Sequence, residues 1–137
     1  MFPAYRRLVG PLAVALAISC AFWPVLLGRV YRFEDISDYM QPLFTAVRRQ
    51  LLGAQLPLWD RGAFSGFPLY TDPQIGLFYP PNWLCLLLPV LHGYAMLAWL
   101  HALWGGIGMY LLGRVRGASR PVATLAAIAL GAGGYVV

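Results

Sequence analysis

The chain has 137 residues, of which 60% are hydrophobic and only 11% are charged, and its mean hydropathy is +0.64. A soluble domain of this size cannot bury so large an apolar fraction, so the composition predicts a membrane protein. The formal net charge of +5 comes from arginine alone, because the chain has no lysine. The arginines partly cluster beside apolar runs, as bilayer-orienting charges do, so we expect a lipid bilayer and no nucleic acid as partner.

The first apolar run, residues 8–27, is uncharged and has roughly the 20 residues that a spanning helix needs. It is predicted to be the first transmembrane helix. A cleaved signal peptide is the alternative, since Arg6 and Arg7 supply a basic start and residues 17–20 loosely resemble a lipoprotein cleavage box. Cys20 and Cys85 lie in separate apolar runs without metal-type spacing, so both are interpreted as buried free thiols.

Residues 28–92 are predicted to form an extracytoplasmic loop, and all five acidic residues lie in it. Pro42 suits the first turn of a helix and Gly53 suits its end, so a helix is expected between them. Its apolar face comprises Leu43, Phe44, Val47 and Leu51. This pattern predicts an amphipathic helix lying in the membrane interface, and a soluble-loop helix packed on the rest of the protein is the alternative.

After Gly53, proline and glycine recur too often for a long regular element, and the aromatic residues between them predict an ordered loop. Such a loop serves either a structural role or a role as a substrate platform. Residues 82–88 are expected to form a short membrane-dipping helix. Tyr79, Trp83 and Tyr94 are expected at the level of the lipid headgroups.

Pro89 divides the second apolar run, so residues 93–112 are predicted as the second transmembrane helix and residues 113–120 as a cytoplasmic loop. Residues 121–137 begin a third helix of about 26 Å, shorter than a hydrocarbon core of about 30 Å, so the sequence is expected to be a fragment. The arginines of residues 6–7 and 113–120 predict that both segments are cytoplasmic, which places the acidic segment outside.

The outer segment also carries an ordered set of short motifs. These are Pro57-Leu58-Trp59, Gly66-Phe67-Pro68, Asp72-Pro73-Gln74, Gly76-Leu77-Phe78-Tyr79-Pro80 and Asn82. Together with the aspartate-containing turn after the first span, this set resembles the N-terminal part of bacterial YfhO-like membrane proteins, which have the C-type (GT-C) glycosyltransferase fold. Asp60-Arg61-Gly62 departs from the pattern, since the family more often has Asn-Pro-Tyr there. The resemblance implies an all-α fold of polytopic transmembrane helices, with amphipathic or interfacial helices in the outer loop.

The resemblance further implies a multi-pass enzyme of the bacterial cytoplasmic membrane, with its N-terminus in the cytoplasm. It would transfer a sugar from a polyprenyl-phosphate carrier to an envelope acceptor at the outer face. The alternative is a non-catalytic polytopic membrane protein, either a transporter fragment or a partner in envelope assembly. In either case the remaining helices of the full-length protein are expected partners, and this chain alone is expected to be inactive.

In C-type enzymes a catalytic aspartate lies in the first outer loop, and the matching residue is Asp35, with Asp38 as the alternative. A carboxylate there would accept the proton of the acceptor hydroxyl. The same pair could hold a divalent cation, although no metal or other cofactor is assigned. Asp60 and Asp72 are interpreted as turn or surface residues. The residues expected to bind substrate are Arg29, Arg32, Gln41, Trp59, Gln74 and Tyr79.

Overall fold

The computed structural model describes residues 5–30, 32 and 35–133, and this part of the chain is all-helical, as predicted. Its elements are α1 (Tyr5–Ala21), α2 (Trp23–Leu26), a π-helical turn (Asp35–Met40), α3 (Gln41–Leu52), a 3₁₀ turn (Pro80–Trp83), α4 (Leu84–Leu87), α5 (Val90–Val115) and α6 (Arg120–Gly131). Two compact units result. We call residues 5–27 and 98–133 the three-helix unit, and residues 28–97 the loop unit.

The three-helix unit is held together by small residues where α1, α5 and α6 meet. The fully buried Ile18 of α1 lies against Gly106 and Gly131, so closely that a Cβ at either glycine would collide with its Cδ1. The other buried small residues are Ala102 of α5 and Ala123 and Ala127 of α6. Small side chains at such positions allow helix backbones to approach closely, as they do in helix pairs inside membranes.

The outer surface of the same unit is built from large apolar side chains. Leu12 and Leu16 of α1 are 64% and 68% exposed, and Leu125 of α6 is 68% exposed. Others exposed in this unit are Leu8, Val9, Trp23, Leu26, Leu27, Trp104, Leu111, Leu112, Val115, Val122 and Leu130. So many large apolar side chains on the outer surface are unusual for a soluble helical domain.

The first apolar run forms two helices rather than one. Pro24 has no N–H to donate to the Cys20 carbonyl, so the helical pattern is interrupted at Phe22 and resumes with α2. Backbone bonds from Phe22 N–H to the Ile18 carbonyl and from Leu26 N–H to the Phe22 carbonyl, at 3.0 and 3.3 Å, keep the two helices joined. Both cysteines are free thiols, but the expectation that both are buried is wrong for Cys20, which is exposed.

Among the described helices, α5 is the one that is both long enough and apolar enough to cross a membrane. It has 26 residues, begins three residues before the predicted boundary at residue 93 and ends three residues after residue 112. α1 and α6 are apolar but shorter. A single helix of this kind also occurs in the cores of soluble proteins, so its length alone does not decide the class.

The loop unit is organised around α3. Leu43, Phe44, Ala46 and Val47 are buried, and they pack in one cluster with Leu69, Ile75, Cys85, Val90 and Leu97. The expectation that this face lies in the membrane interface is therefore wrong, and the alternative, a helix packed on the rest of the protein, is what the structure shows. Leu51, which was assigned to the same face, is 43% exposed.

The C-terminal part of the loop unit contributes to the same core. Tyr94 packs edge-on against Phe44, with ring centroids 6.1 Å apart, so it is a partly buried residue that contacts this core. The predicted helix at residues 82–88 is a 3₁₀ turn followed by the short α4, and its Cys85 is fully buried. Burial raises the pKa of the Cys85 thiol to about 12, so it stays protonated and acts as a small apolar side chain.

The close packing at Gly106 predicts a position-specific effect on stability. We expect Gly106→Val to lower the free energy of unfolding by about 1–3 kcal/mol, because the added methyl groups must displace Ile18 and Val14. Gly105→Val and Gly108→Val are matched controls on the same helix, since a Cβ at either position has nothing within 4 Å. Unfolding in detergent, followed by near-ultraviolet circular dichroism, measures all three. Equal stability of the three variants would contradict this packing.

Candidate functional site

The predicted catalytic aspartates lie in a helical turn that the sequence did not indicate. The helix was expected to begin at Pro42, but the chain is already helical from Asp35, as a π turn that runs directly into α3. Pro42 has no N–H for the Asp38 carbonyl, and its ring crowds that carbonyl in a regular α-helix, which gives a physical reason for the wider turn. Short π-helical segments are frequently found at functional sites.

Both aspartate side chains in this turn are exposed. Among the residues that the structure describes, neither Asp35 nor Asp38 has a hydrogen-bond or ion-pair partner. The described residues also contain no group of three or more histidine, cysteine, aspartate or glutamate side chains that could hold a metal ion. Asp35 and Asp38 are therefore a pair of solvated carboxylates in this part of the chain, without a third ligand.

The two arginines expected to hold the carrier phosphate lie just before this turn. Arg29 and Arg32 are exposed and belong to an irregular segment between α2 and the π turn. Residues 31, 33 and 34, which include Glu34, lie outside the described residues. In sequence, the arginines are three to six residues from Asp35.

A small hairpin-like loop follows α3 and is closed by main-chain hydrogen bonds. Asp60 N–H donates to the Phe67 carbonyl at 2.7 Å, and Phe67 N–H donates to the Asp60 carbonyl at 2.8 Å. The Asp60 carboxylate accepts a hydrogen bond from Gly62 N–H at 3.0 Å and lies 3.7 Å from the Arg49 guanidinium. Asp60 is 8% exposed, so the interpretation as a turn residue is confirmed, and a position on the surface is excluded.

This loop is also fastened to α3 at Trp59. The Gln50 side-chain amide donates to the Trp59 carbonyl at 2.9 Å. On the loop side, the indole lies over Gly66, where a Cβ would be only 2.7 Å from the ring. Gly66 has a φ of +128°, a conformation that side-chain-bearing residues rarely adopt. Only glycine therefore satisfies both the backbone and the ring contact at this position.

Two adjoining grooves lie between α3 and this loop. The first has a volume of about 560 Å³ and is lined by Ser37, Gln41, Thr45 and Ala63, among others. The second, of about 540 Å³, is lined by Gln50, Gln55, Trp59 and Arg61, among others. Arg49, Asp60 and Gly62 line both grooves. The structure therefore brings two of the predicted substrate-binding residues, Gln41 and Trp59, to one continuous polar surface.

A second aspartate fixes the next part of the loop. The Asp72 carboxylate accepts hydrogen bonds from the Tyr39 hydroxyl at 2.8 Å and from Gln74 N–H at 2.7 Å. The bond to Asp72, with a smaller contribution from burial, raises the pKa of Tyr39 above its usual value of 10. Gln74 thus helps to form the turn with its backbone, while its side chain is exposed. Asp72 is a turn residue, as interpreted from the sequence.

Tyr79 belongs to a separate turn. Its N–H donates to the Gly76 carbonyl at 2.9 Å, and its side chain is 43% exposed. The turn is completed by side-chain bonds of 2.9 Å from the Asn82 amide to the Ile75 carbonyl and from the Trp83 indole to the Leu77 carbonyl. Neither Tyr79 nor Gln74 lines the two polar grooves.

Sequence reasoning missed the roles of Arg49, Gln50 and Tyr39. A local signal for the turns was present, because an aspartate two residues before a turn N–H commonly accepts its hydrogen bond, as in Asp60-Arg61-Gly62 and Asp72-Pro73-Gln74. Asp60-Arg61-Gly62 therefore forms a turn, although its sequence departs from the family pattern. The long-range partners Arg49 and Tyr39 had no such signal.

The Tyr39 bond predicts a pH-dependent contribution to stability. Because the Tyr39 pKa is raised in the folded state, its stabilisation is fully present below pH 10 and is lost as the pH rises through the raised value. At pH 7 we expect Tyr39→Phe to lower the free energy of unfolding by about 0.5–1 kcal/mol. The difference from the wild type should shrink above pH 10. Tyr70→Phe, at an exposed tyrosine of the same unit, is the control. A deficit that does not change with pH would contradict this role of Tyr39.

Comparison with family models, with curated proteins and with solved structures gave no significant match to this chain. What the site does must therefore be argued from its own geometry and from the character of the two units.

Proposed function

We propose that the chain is part of a multi-pass membrane glycosyltransferase of the bacterial cytoplasmic membrane. In this proposal the three-helix unit is embedded in the bilayer, and the loop unit faces outward and works on a lipid-linked sugar. The observation that carries the proposal is the large apolar outer surface of the three-helix unit, together with the glycines that let its helices approach closely. Such a surface is stable in lipid and costly in water.

The helix lengths support embedding. α1 and α2 together cover 22 residues from Tyr5 to Leu26, a rise of about 33 Å against a hydrocarbon core of about 30 Å. α5 is long enough by itself. Arg114, Arg116 and Arg120 lie at the turn between α5 and α6, and all five acidic residues lie in residues 28–97. Short arginine-rich loops favour the cytoplasmic side, so this charge distribution supports an outward-facing loop unit.

The chemistry proposed for Asp35 is general-base catalysis. Its exposed carboxylate would accept the proton of the acceptor hydroxyl as that oxygen attacks the anomeric carbon of the donor sugar. The bond from the anomeric carbon to the carrier phosphate breaks, and the phosphate leaves with the electron pair. Arg29 and Arg32 supply guanidinium groups suited to the phosphate oxygens. The position of Asp35 shortly after the first span, as in the family that the sequence resembles, supports this assignment.

One observation favours the non-catalytic alternative. Catalytic side chains are usually held in place by hydrogen bonds from neighbouring groups, and in the described residues no side chain holds Asp35 or Asp38. A transporter fragment or an envelope-assembly partner needs no such support. In the proposed enzyme, the supporting groups come from the remaining helices of the full-length protein.

The proposed orientation predicts which positions are accessible from outside the cell. In a Cys20→Ser background, Arg61→Cys should react with a membrane-impermeant maleimide in intact cells, and Arg116→Cys should react only after permeabilisation. Both positions are exposed, so accessibility depends on the side of the membrane. The parent variant controls for Cys85, which is buried and has a raised pKa. Labelling of position 61 only after permeabilisation would overturn the proposal.

The proposed base predicts the effect of a nearly isosteric substitution. In the full-length protein, Asp35→Asn should lower the rate of sugar transfer by about 10²- to 10⁴-fold, since it removes only the proton-accepting carboxylate. Membrane insertion should be unchanged, because the side chain is exposed. Asp38→Asn is the matched comparison in the same turn. A larger loss at Asp38 would move the base to that residue, and less than a tenfold loss at both would refute the assignment.

A further inference from the structure

Trp59 was expected to bind substrate, but the sequence did not indicate which kind of ligand its groove would hold. The Trp59 ring lies against Gly66 and lines the groove, and the residue is 52% exposed. A flat aromatic surface fixed in this way can receive the apolar face of a ligand ring.

Around this open ring the groove offers groups that both donate and accept hydrogen bonds. Gln55 and Arg61 are exposed, and within the described residues their side chains have no hydrogen-bond partner. Asp60 uses Oδ1 for Gly62 and Arg49, and the structure shows no bond to its Oδ2. An amide, a guanidinium and a carboxylate oxygen together match a ligand whose hydroxyl groups act as both donors and acceptors.

The charges of the groove are nearly balanced. The Arg49 guanidinium is paired with Asp60 at 3.7 Å, which leaves Arg61 as the remaining charge in the groove that contains Trp59. A multiply charged phosphate would be better served by several arginines in a convergent fork. The balance of charge therefore favours a neutral polyhydroxylated ligand.

We propose that this surface is a binding subsite for a neutral saccharide, with a pyranose ring stacked on the exposed indole of Trp59. This inference rests on the proposed function and deepens it, because it identifies the acceptor of the transferred sugar as a saccharide. The two grooves continue from Trp59 past Arg49 to Gln41 and Ser37, and Ser37 is two residues from Asp35. An acceptor chain anchored at Trp59 can therefore run along α3 toward the π turn.

The positions of the groups that hold Trp59 support a built site. Gln50 fixes the Trp59 carbonyl from α3, the bridge between Asp60 and Phe67 fixes the next residue, and Gly66 leaves room for the ring. The main chain at Trp59 and Asp60 is thus fixed by hydrogen bonds, and the indole itself lies against Gly66.

Saturation-transfer NMR tests the proposal with the whole chain in a detergent that lacks a sugar headgroup, because such headgroups would compete. The probes are cellobiose and maltose, with inorganic phosphate as the anion. We expect at least one disaccharide to bind, Trp59→Ala to weaken that binding at least tenfold, and Trp59→Phe to retain part of it. Phe78→Ala, at an aromatic residue that is 79% exposed in the same unit, should bind as the wild type does.

Two results with the disaccharides would overturn the subsite: neither disaccharide binds, or Trp59→Ala binds as well as the wild type. Binding of phosphate that is lost in Arg61→Gln would also overturn it. Asp35→Asn should bind the disaccharide normally, so this measurement is independent of the proposed catalytic base. If Asp35→Asn still bound the disaccharide and transferred sugar as fast as the wild type, Asp35 would not be the catalytic base. The saccharide subsite at Trp59 would still stand.

Discussion

The loop unit depends on the burial of one face of α3. Between Gly53 and Tyr79 the chain forms no regular helix, so its order must come from contacts with other elements. Phe44 and Val47 provide these contacts, because they pack against Leu69 and Ile75 of the irregular segment and against Cys85 of α4. Each large apolar side chain buried in this way contributes roughly 1.5–3 kcal/mol, which offsets part of the entropy lost when the loop is ordered.

The buried face of α3 also determines what the rest of the helix can do. Once Phe44 and Val47 point into the core, Gln41, Arg49 and Gln50 are turned toward the loop that contains Trp59 and Asp60. These polar side chains then hold the loop by an ion pair and by an amide-to-carbonyl bond. The same helix therefore packs the unit and forms one wall of both polar grooves.

The sequence was sufficient to predict α3 and α5 to within three residues, because apolar runs and proline positions are local properties. It was not sufficient to predict what covers an apolar face. The face of α3 has the same amphipathic pattern whether it meets lipid or protein, and only the fold shows that it meets Leu69 and Ile75. The sequence likewise gave no sign that Tyr94 contacts Phe44, since an aromatic residue near a span end suits a headgroup region and a packed core equally well.

In the candidate site, too, local turns could be predicted from the sequence, whereas contacts between distant residues could not. The turns at Asp60 and Asp72 follow from their sequence spacing to the next turn N–H, whereas the partners Arg49 and Tyr39 are 11 and 33 residues away. The π turn at Asp35 was missed because a proline disfavours helix at the residue before it, so the helix was expected to begin at Pro42. Gln41 and Trp59 were expected to bind substrate, and that they line adjoining grooves is a property of the three-dimensional structure.

The described aspartates differ in whether their carboxylates hold the fold together, and this difference bears on the proposed mechanism. Asp60 and Asp72 are committed to holding the loop, so neither is free to exchange protons with a substrate without loosening the structure. Asp35 and Asp38 have no such commitment among the described residues. From Gln41 to Arg49 the first groove follows α3, a rise of about 12 Å. In the proposed enzyme, a saccharide on Trp59 in the second groove would therefore position an extended acceptor, while Asp35 in the turn before α3 would accept the proton.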